Sequence, residues 1–236
     1  MNWLNRYFLE KSKASVIALS RESRDFYQGI LKNPCYYLKT GIDLCKFHPV
    51  DEKRKHFLRE KYGFSKDRKL ILHVGHLKRA RNILSICEID PKYQICLVVS
   101  SSTEKEADVR AALKEYKNIR LIEEYIPEIQ EYYQMADVYF FPVWQTENCI
   151  DIPLSVLEAG ACNLPIVTTD YGELKEFAGK EGFYFLSSFE KEHLDQRISE
   201  ACQSRPGEAQ LQEIRAYDWE RSIQVLMEIL TQKKGG

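Results

Sequence analysis

"KLILHVGHLKRARNILSICEIDPKYQICLVVS", residues 69–100, decides the fold. A near-continuous apolar run closes at Gly75, a basic loop follows, residues 82–89 carry a short amphipathic segment, and a second apolar run fills 93–99. Apolar runs without polar alternation suit strands that helices cover on both faces. A strand, a helix and a strand in so short a span make a βαβ unit, whose two strands run parallel.

The alternation continues downstream. "EKEADVRAALKEY" (104–116) predicts a helix with Val109, Leu113 and Tyr116 on one face, followed by strand "IRLIEEY" (119–125), helix "PEIQEYYQMA" (127–136) and strand "VYFFPV" (138–143). A helix after Pro153, strand "PIVTTD" (165–170), helix "GELKEFAG" (172–179) and strand "GFYFL" (182–186) complete it, and the tail from about residue 189 reads as helical through "WERSIQVLMEILTQ". The expected fold class is α/β, a doubly wound, mostly parallel, Rossmann-like sheet with right-handed crossovers.

Upstream of residue 69 the pattern differs. "ASVIALS" (14–20) reads as a strand, "RESRDFYQGIL" (21–31) as a helix capped by Ser20 with Glu22 in its first turn, "CYYLKTG" (35–41) as a short strand, and "IDLCKFHPVDEKR" (42–54) as a connector. This section reads as the end of a preceding domain. The expected division is 1–49 as remnant and connector, 50–206 as the main domain and 207–236 as a helical tail.

The bulk numbers exclude some functions. With 34 basic and 35 acidic residues, the net charge of −1 gives no signature of a nucleic-acid binder. Residues 1–80 hold 18 Lys+Arg against 8 Asp+Glu, and the remainder 16 against 27. That asymmetry fits either an anionic partner or membrane surface near the start, or two solvated faces of unlike sign. Seven cysteines without a C-x-x-C pair do not make a disulfide framework or a zinc site, and imply a reducing, cytosolic compartment. No stretch is long and apolar enough to span a bilayer. "MNWLNRYFLEKSK" puts Trp3, Leu4, Tyr7 and Phe8 at helical spacing beside Lys and Arg, as a helix lying on a membrane or packing on protein would.

Six short motifs stand in a fixed order: "VIALSRES", "KTGIDLCKFHP", "LILHVGHLKRARN", "EYYQMADVYFFPV", "IPLSVLEAGACNLPIVTTDYG" and "YDWERS". Together, over about residues 15–230, they resemble the carboxy-terminal, donor-binding half of the GT-B fold in the retaining glycosyltransferases of family 4, the glycosyl transferases group 1. The resemblance implies transfer of a sugar from a nucleotide diphosphate sugar with retention at the anomeric carbon, usually without a metal or other cofactor. It also implies a missing amino-terminal acceptor domain or subunit of about 150 residues or more, a role in glycan, polysaccharide or glycolipid synthesis, and a cytoplasmic place that can extend to the inner face of the cell membrane and a lipid-linked acceptor.

The same resemblance assigns residues. Gly75 lets the backbone approach a phosphate. The family's Arg after this glycine and Lys five residues on, which grip the leaving diphosphate, correspond to His76 and Arg81. Arg81 keeps the charge, His76 is cationic only if its pKa is raised, and Lys78 and Arg79 are further sources of charge. Pro153 opens a helix whose Leu154 and Ser155 amides form an anion site, and Glu158, one turn on, accepts bonds from ribose hydroxyls. A carboxylate among Leu154, Val156, Leu157 and Ala159 needs a partner. The family's Glu-x7-Glu pair is broken: Ile150 stands where the first Glu belongs, with Asp151 or Glu147 as substitutes. Glu124 and Tyr125 stand where the base pocket falls, or Tyr125 is structural. Asp137 and Trp219 read as structural, and Gly172 as a turn residue. A nucleotide-sugar binding module, silent without an acceptor-domain subunit, stands as the rival reading; an NAD enzyme is disfavoured because no G-x-G-x-x-G follows a strand.

Overall fold

The structure is a computed structural model that describes residues 3–12, 14–100, 103, 105–145 and 149–232. The chain divides into two compact units, residues 1–43 with 216–236, and residues 44–215. These limits differ from the 1–49, 50–206 and 207–236 read from sequence, because the last helix groups with the first residues of the chain.

In the smaller unit, α1 (Trp3–Ser12) precedes β1 (Val16–Ala18), α2 (Arg21–Ile30) and β2 (Cys35–Tyr37). The two strands pair in parallel, Val16 against Cys35. Ser20 caps α2 as its sequence position predicts: its hydroxyl accepts the Ser23 N–H at 3.2 Å. Ile42 bridges to Asp218, which ties the final helix to this unit. Tyr7 and Phe8 of α1 are exposed.

The larger unit begins with α3 (Glu52–Lys61), then β3 (Leu70–Gly75), a 3-10 turn Arg79–Arg81 and a 3-10 helix Ile83–Glu88. It continues with β4 (Gln94–Val99), α4 (Ala107–Lys114), β5 (Ile119–Ile122), α5 (Ile129–Met135), β6 (Val138–Phe141), α6 (Leu154–Ala161), β7 (Ile166–Thr168), a 3-10 helix Gly172–Phe177, β8 (Phe183–Phe185), α7 (Lys191–Gln203) and α8 (Glu208–Ile214). The closing helix of the smaller unit is α9 (Trp219–Gln232). Among the described residues no helix is long and apolar enough to cross a membrane.

All six strands of the main sheet are parallel, in the order β5-β4-β3-β6-β7-β8. The fold class is thus a doubly wound, Rossmann-like α/β sheet, as the alternation of apolar runs and helices predicts. The core on one face joins Ile71, Leu97 and Val138 of the sheet to Ile86, Val109, Leu113, Leu194 and Ile198. Tyr116 stays at the margin, because α4 ends at Lys114.

Two segments depart from the sequence reading. Helix α3 occupies part of the expected connector and carries only Phe57 and Leu58 as large apolar residues. It is held by charge instead: Asp51 caps it, Lys55 and Arg59 pair with Asp137, and Arg54 and Lys61 with Glu131. Asp137 also accepts the Leu70 N–H at 2.7 Å, so it fixes the start of β3, a structural role. The helix expected at 172–179 is a 3-10 helix. Gly172 has φ +54°, and a Cβ there would lie 2.4 Å from the Asp151 carbonyl oxygen. Its role exceeds that of a simple turn, since it clears the path of the loop before α6.

The order of strands reverses between β3 and β6, and open α/β sheets bind ligands outside the carboxyl ends of the strands at such a point. The ladder between these two strands holds only two register pairs, Ile71–Val138 and Leu72–Tyr139, against six between β3 and β4. Beyond them, side chains link the strands: the His73 imidazole Nδ1 lies 2.9 Å from the Phe140 carbonyl, and the Tyr139 hydroxyl donates to the Val74 carbonyl at 3.2 Å.

Candidate functional site

A cleft of about 560 Å³ opens at this reversal, lined by residues at the carboxyl ends of β3 and β4, the segment after β5 and the start of α6. It brings together Gly75, His76, Arg81, Glu124, Tyr125, Leu154, Ser155 and Glu158, which lie up to 83 positions apart in sequence. Asp151 does not line it, and Glu147 lies outside the described residues.

The loop after β3 is built to turn sharply. Leu77 is fully buried and anchors it, and Asn82, at φ +54°, ends the 3-10 turn and donates to the Pro142 carbonyl at 3.3 Å. Gly75 is required from below as well as above. A Cβ there would come within 2.6 Å of His73 Nε2, so a side chain would displace the buried ring. His73 itself is held neutral: burial pushes its pKa down to about 4, the Phe140 carbonyl works against the drop, and Arg81 and His76 add to it.

Three basic residues of this loop behave differently. The Arg81 guanidinium reaches the cleft and lies 3.3 Å from the Cys149 thiol. Burial, then the charges of Arg81 and Lys78, hold the His76 pKa below its ordinary value, which disfavours the cation in the empty cleft. Arg79 is committed to an ion pair with Asp108. It points no charge into the cleft.

The opposite wall is the start of α6. Pro153 sits at the cap position with φ −67°, and the first N–H to bond within the helix is that of Val156. The amides of Leu154 and Ser155 precede it, at the positive end of the helix dipole. Glu158 has the partner that its apolar surroundings demand: the Tyr133 hydroxyl donates to Oε2 at 2.7 Å. Burial raises the Glu158 pKa, opposed by the Tyr133 bond and by Lys46. Tyr133, fully buried in α5, is a site residue that the sequence reading missed. Two adjacent tyrosines in the buried helix "IQEYYQM" are the signal that was available.

Tyr125 is 77% exposed on the rim, which disfavours a packing role and leaves a planar ring facing the cleft. Ile150, where the resemblance expects a glutamate, is half exposed and lines the wall with Cys149. The Cys149 carbonyl accepts the Tyr171 hydroxyl at 2.5 Å, and the Asp151 carbonyl accepts the Glu173 N–H at 3.0 Å, so the backbone of this loop is pinned from both sides. A cation and a helix start on either side, a paired carboxylate beyond them and a planar ring at the rim suit a ligand with phosphates, vicinal hydroxyls and a flat base.

Residues 68–204, more than half of the chain, match the family described as Glycosyl transferases group 1. The chain belongs to this family. TuaC of Bacillus subtilis (strain 168), named as a glycosyltransferase of teichuronic acid biosynthesis, is 24% identical over 171 residues, which are 72% of this chain and 42% of TuaC. Sucrose-phosphate synthase from Thermosynechococcus elongatus superposes with a TM-score of 0.77 at 20% identity, over 97% of this chain and 60% of that one. Anabaena Alr3699/HepE in complex with UDP-glucose gives a TM-score of 0.79 at 16% identity, over 97% of this chain and 66% of that one. The group 1 chain therefore spans less than two thirds of each of these relatives.

Proposed function

We propose that the cleft binds a nucleotide diphosphate sugar and that the chain is the donor-binding half of a retaining, family 4 hexosyltransferase acting in glycan, polysaccharide or glycolipid synthesis. The observation that carries this reading is the convergence of Arg81, the Leu154 and Ser155 amides and the Tyr133-held Glu158 on one cleft at the strand-order reversal. Family membership and the UDP-glucose named for the Anabaena relative support it.

In this reading Glu158 accepts from the ribose hydroxyls, Tyr125 and Glu124 border the base, and Gly75 brings backbone close to the phosphates. Charge builds on the diphosphate as the sugar–oxygen bond breaks. Arg81 and the two amides stabilise it, each such donor being worth roughly 2.7–4 kcal/mol in acyl-transfer sites. His76 contributes a hydrogen bond. Asp151 turns toward the transferred sugar only if its loop moves on binding. The seven free cysteines fit a reducing, cytosolic setting, with the acceptor at the inner membrane face.

Calorimetry with UDP, GDP and ADP and their 2′-deoxy forms tests the binding. One base is preferred, and Glu158→Gln loses the discrimination against the deoxy form; a variant that binds both forms like wild type refutes the ribose role. A second reading is a nucleotide-sugar binding module, silent until an acceptor-domain subunit docks. Hydrolysis of the donor by the chain alone, abolished by Arg81→Ala, separates an active enzyme from such a module.

A further inference from the structure

The 3-10 turn that presents Arg81 to the cleft also borders a second cavity, of about 820 Å³, with none of its lining residues in common with the first. Its walls come from the loops after β3, β6 and β8 and from the residue before α4, so it opens at the same carboxyl edge of the sheet.

One wall is aromatic. Trp144 remains 47% exposed although its ring meets Phe189 edge to face, with centroids 5.5 Å apart at 66°. An indole left half in water at a concave site is free to take an apolar face. The remaining lining is polar and, in sum, not cationic. Gln145 and Ser188 offer an amide and a hydroxyl, and Glu106 holds a carboxylate oxygen 2.9 Å from the Arg79 amide. Arg79 supplies the only Lys, Arg or His side chain among the described lining residues, and Asp108 already neutralises it. A phosphate finds no uncommitted charge there. A pyranose ring does match the arrangement: one face of C–H groups for the indole, and a rim of hydroxyls for an amide, a hydroxyl and a carboxylate.

We infer that this cavity is a second carbohydrate site, which takes a neutral pyranose unit of a glycan on Trp144 and is separate from the nucleotide cleft. The inference rests on membership of the sugar-transferring family and not on the donor reading, and a failure of UDP to bind leaves it standing.

The test uses the full chain labelled with 15N in its tryptophans. Trp144 is one of three, and Trp144→Phe identifies its indole signal. Methyl α-glucopyranoside, methyl β-galactopyranoside, N-acetylglucosamine, maltotriose and cellotriose are titrated with UDP present in excess to fill the cleft. Expected is a saturable shift of the Trp144 signal by at least one sugar, with a Kd on the order of millimolar. In ligand-observed NMR, Trp144→Ala weakens that sugar at least about tenfold, whereas Trp144→Tyr, which keeps an aromatic wall, retains it. No shift with any sugar, a shift that UDP competes away, or unchanged binding to Trp144→Ala overturns the inference.

Discussion

Removing one hydroxyl, in Tyr133→Phe, isolates the interaction that allows a carboxylate to stand inside the cleft. The donor and acceptor are 2.7 Å apart, Tyr133 is fully buried, and the substitution leaves the ring and its packing intact. A hydrogen bond to a charged group contributes about 1.5–3 kcal/mol, and the loss should approach that range while Glu158 is ionised. The pH dependence carries the diagnosis. Burial already raises the Glu158 pKa above its ordinary 4.5, and losing the tyrosine raises it further. A carboxylate with a raised folded pKa binds more protons folded than unfolded, so stability falls as pH rises from the unfolded value through the folded one. The variant falls further. The gap between wild type and Tyr133→Phe should therefore be small in acid and full in mild alkali. Urea denaturation at about pH 5 and about pH 8 measures it, and a double-mutant cycle with Glu158→Gln should show coupling of at least about 1 kcal/mol at the higher pH. An equal cost at both pH values, or additivity in the cycle, refutes the idea that Tyr133 supports a charged Glu158.

Three further expectations come from the scaffold. Gly172→Ala places a Cβ at φ +54° and 2.4 Å from the Asp151 carbonyl, and should cost at least about 2 kcal/mol, by thermal unfolding, while also weakening any nucleotide that the α6 loop holds; an unchanged melting temperature contradicts the close approach. Asp137→Ala leaves the buried Arg59 without its ion-pair partner and should cost about 3–5 kcal/mol in urea denaturation. Burial alone would raise the Asp137 carboxyl, but Lys55 and Arg59 outweigh it and hold the pKa low, so this contribution is present above the unfolded value and fades as pH falls through the folded one. His73 acts in a higher window. With a folded pKa near 4 against an ordinary 6.5, it binds a proton more readily when unfolded, and stability should drop by up to about 3 kcal/mol as pH falls across that interval; His73→Gln should flatten the profile there, and an unaltered profile shows that the ring is not the titrating group.

The strands were legible because burial on both faces writes itself as an unbroken apolar run. Each strand from β3 to β8 falls within its expected segment, whereas their spatial order comes from crossovers that no local pattern records. Helix α3 escaped because "EKRKHFLREK" spends its side chains on ion pairs with residues 70 to 82 positions away. The composition of 172–179 fits an α-helix, whereas the positive φ at Gly172 goes with the close approach of the distant Asp151 loop. In the cleft, the α6 start was legible through Pro153, whose fixed φ suits a helix entry, whereas Arg81 was assigned only through the motif resemblance. The Tyr133–Glu158 bond was not legible, since it depends on how α5 meets α6. The lowered pKa of His76 was equally hidden, because it arises from burial and from where Arg81 and Lys78 come to rest.

The seam between β3 and β6 has a consequence for how such a site diversifies. Where a backbone ladder fixes strand spacing regardless of side chain, this crevice is laced by an imidazole and a phenol, His73 to Phe140 and Tyr139 to Val74. Spacing across it is thus written in two replaceable letters. Substitutions at positions 73 and 139 can widen or narrow the mouth beneath a ligand while every strand stays in register, so the fold can explore ligand sizes by drift in its floor without rebuilding its walls.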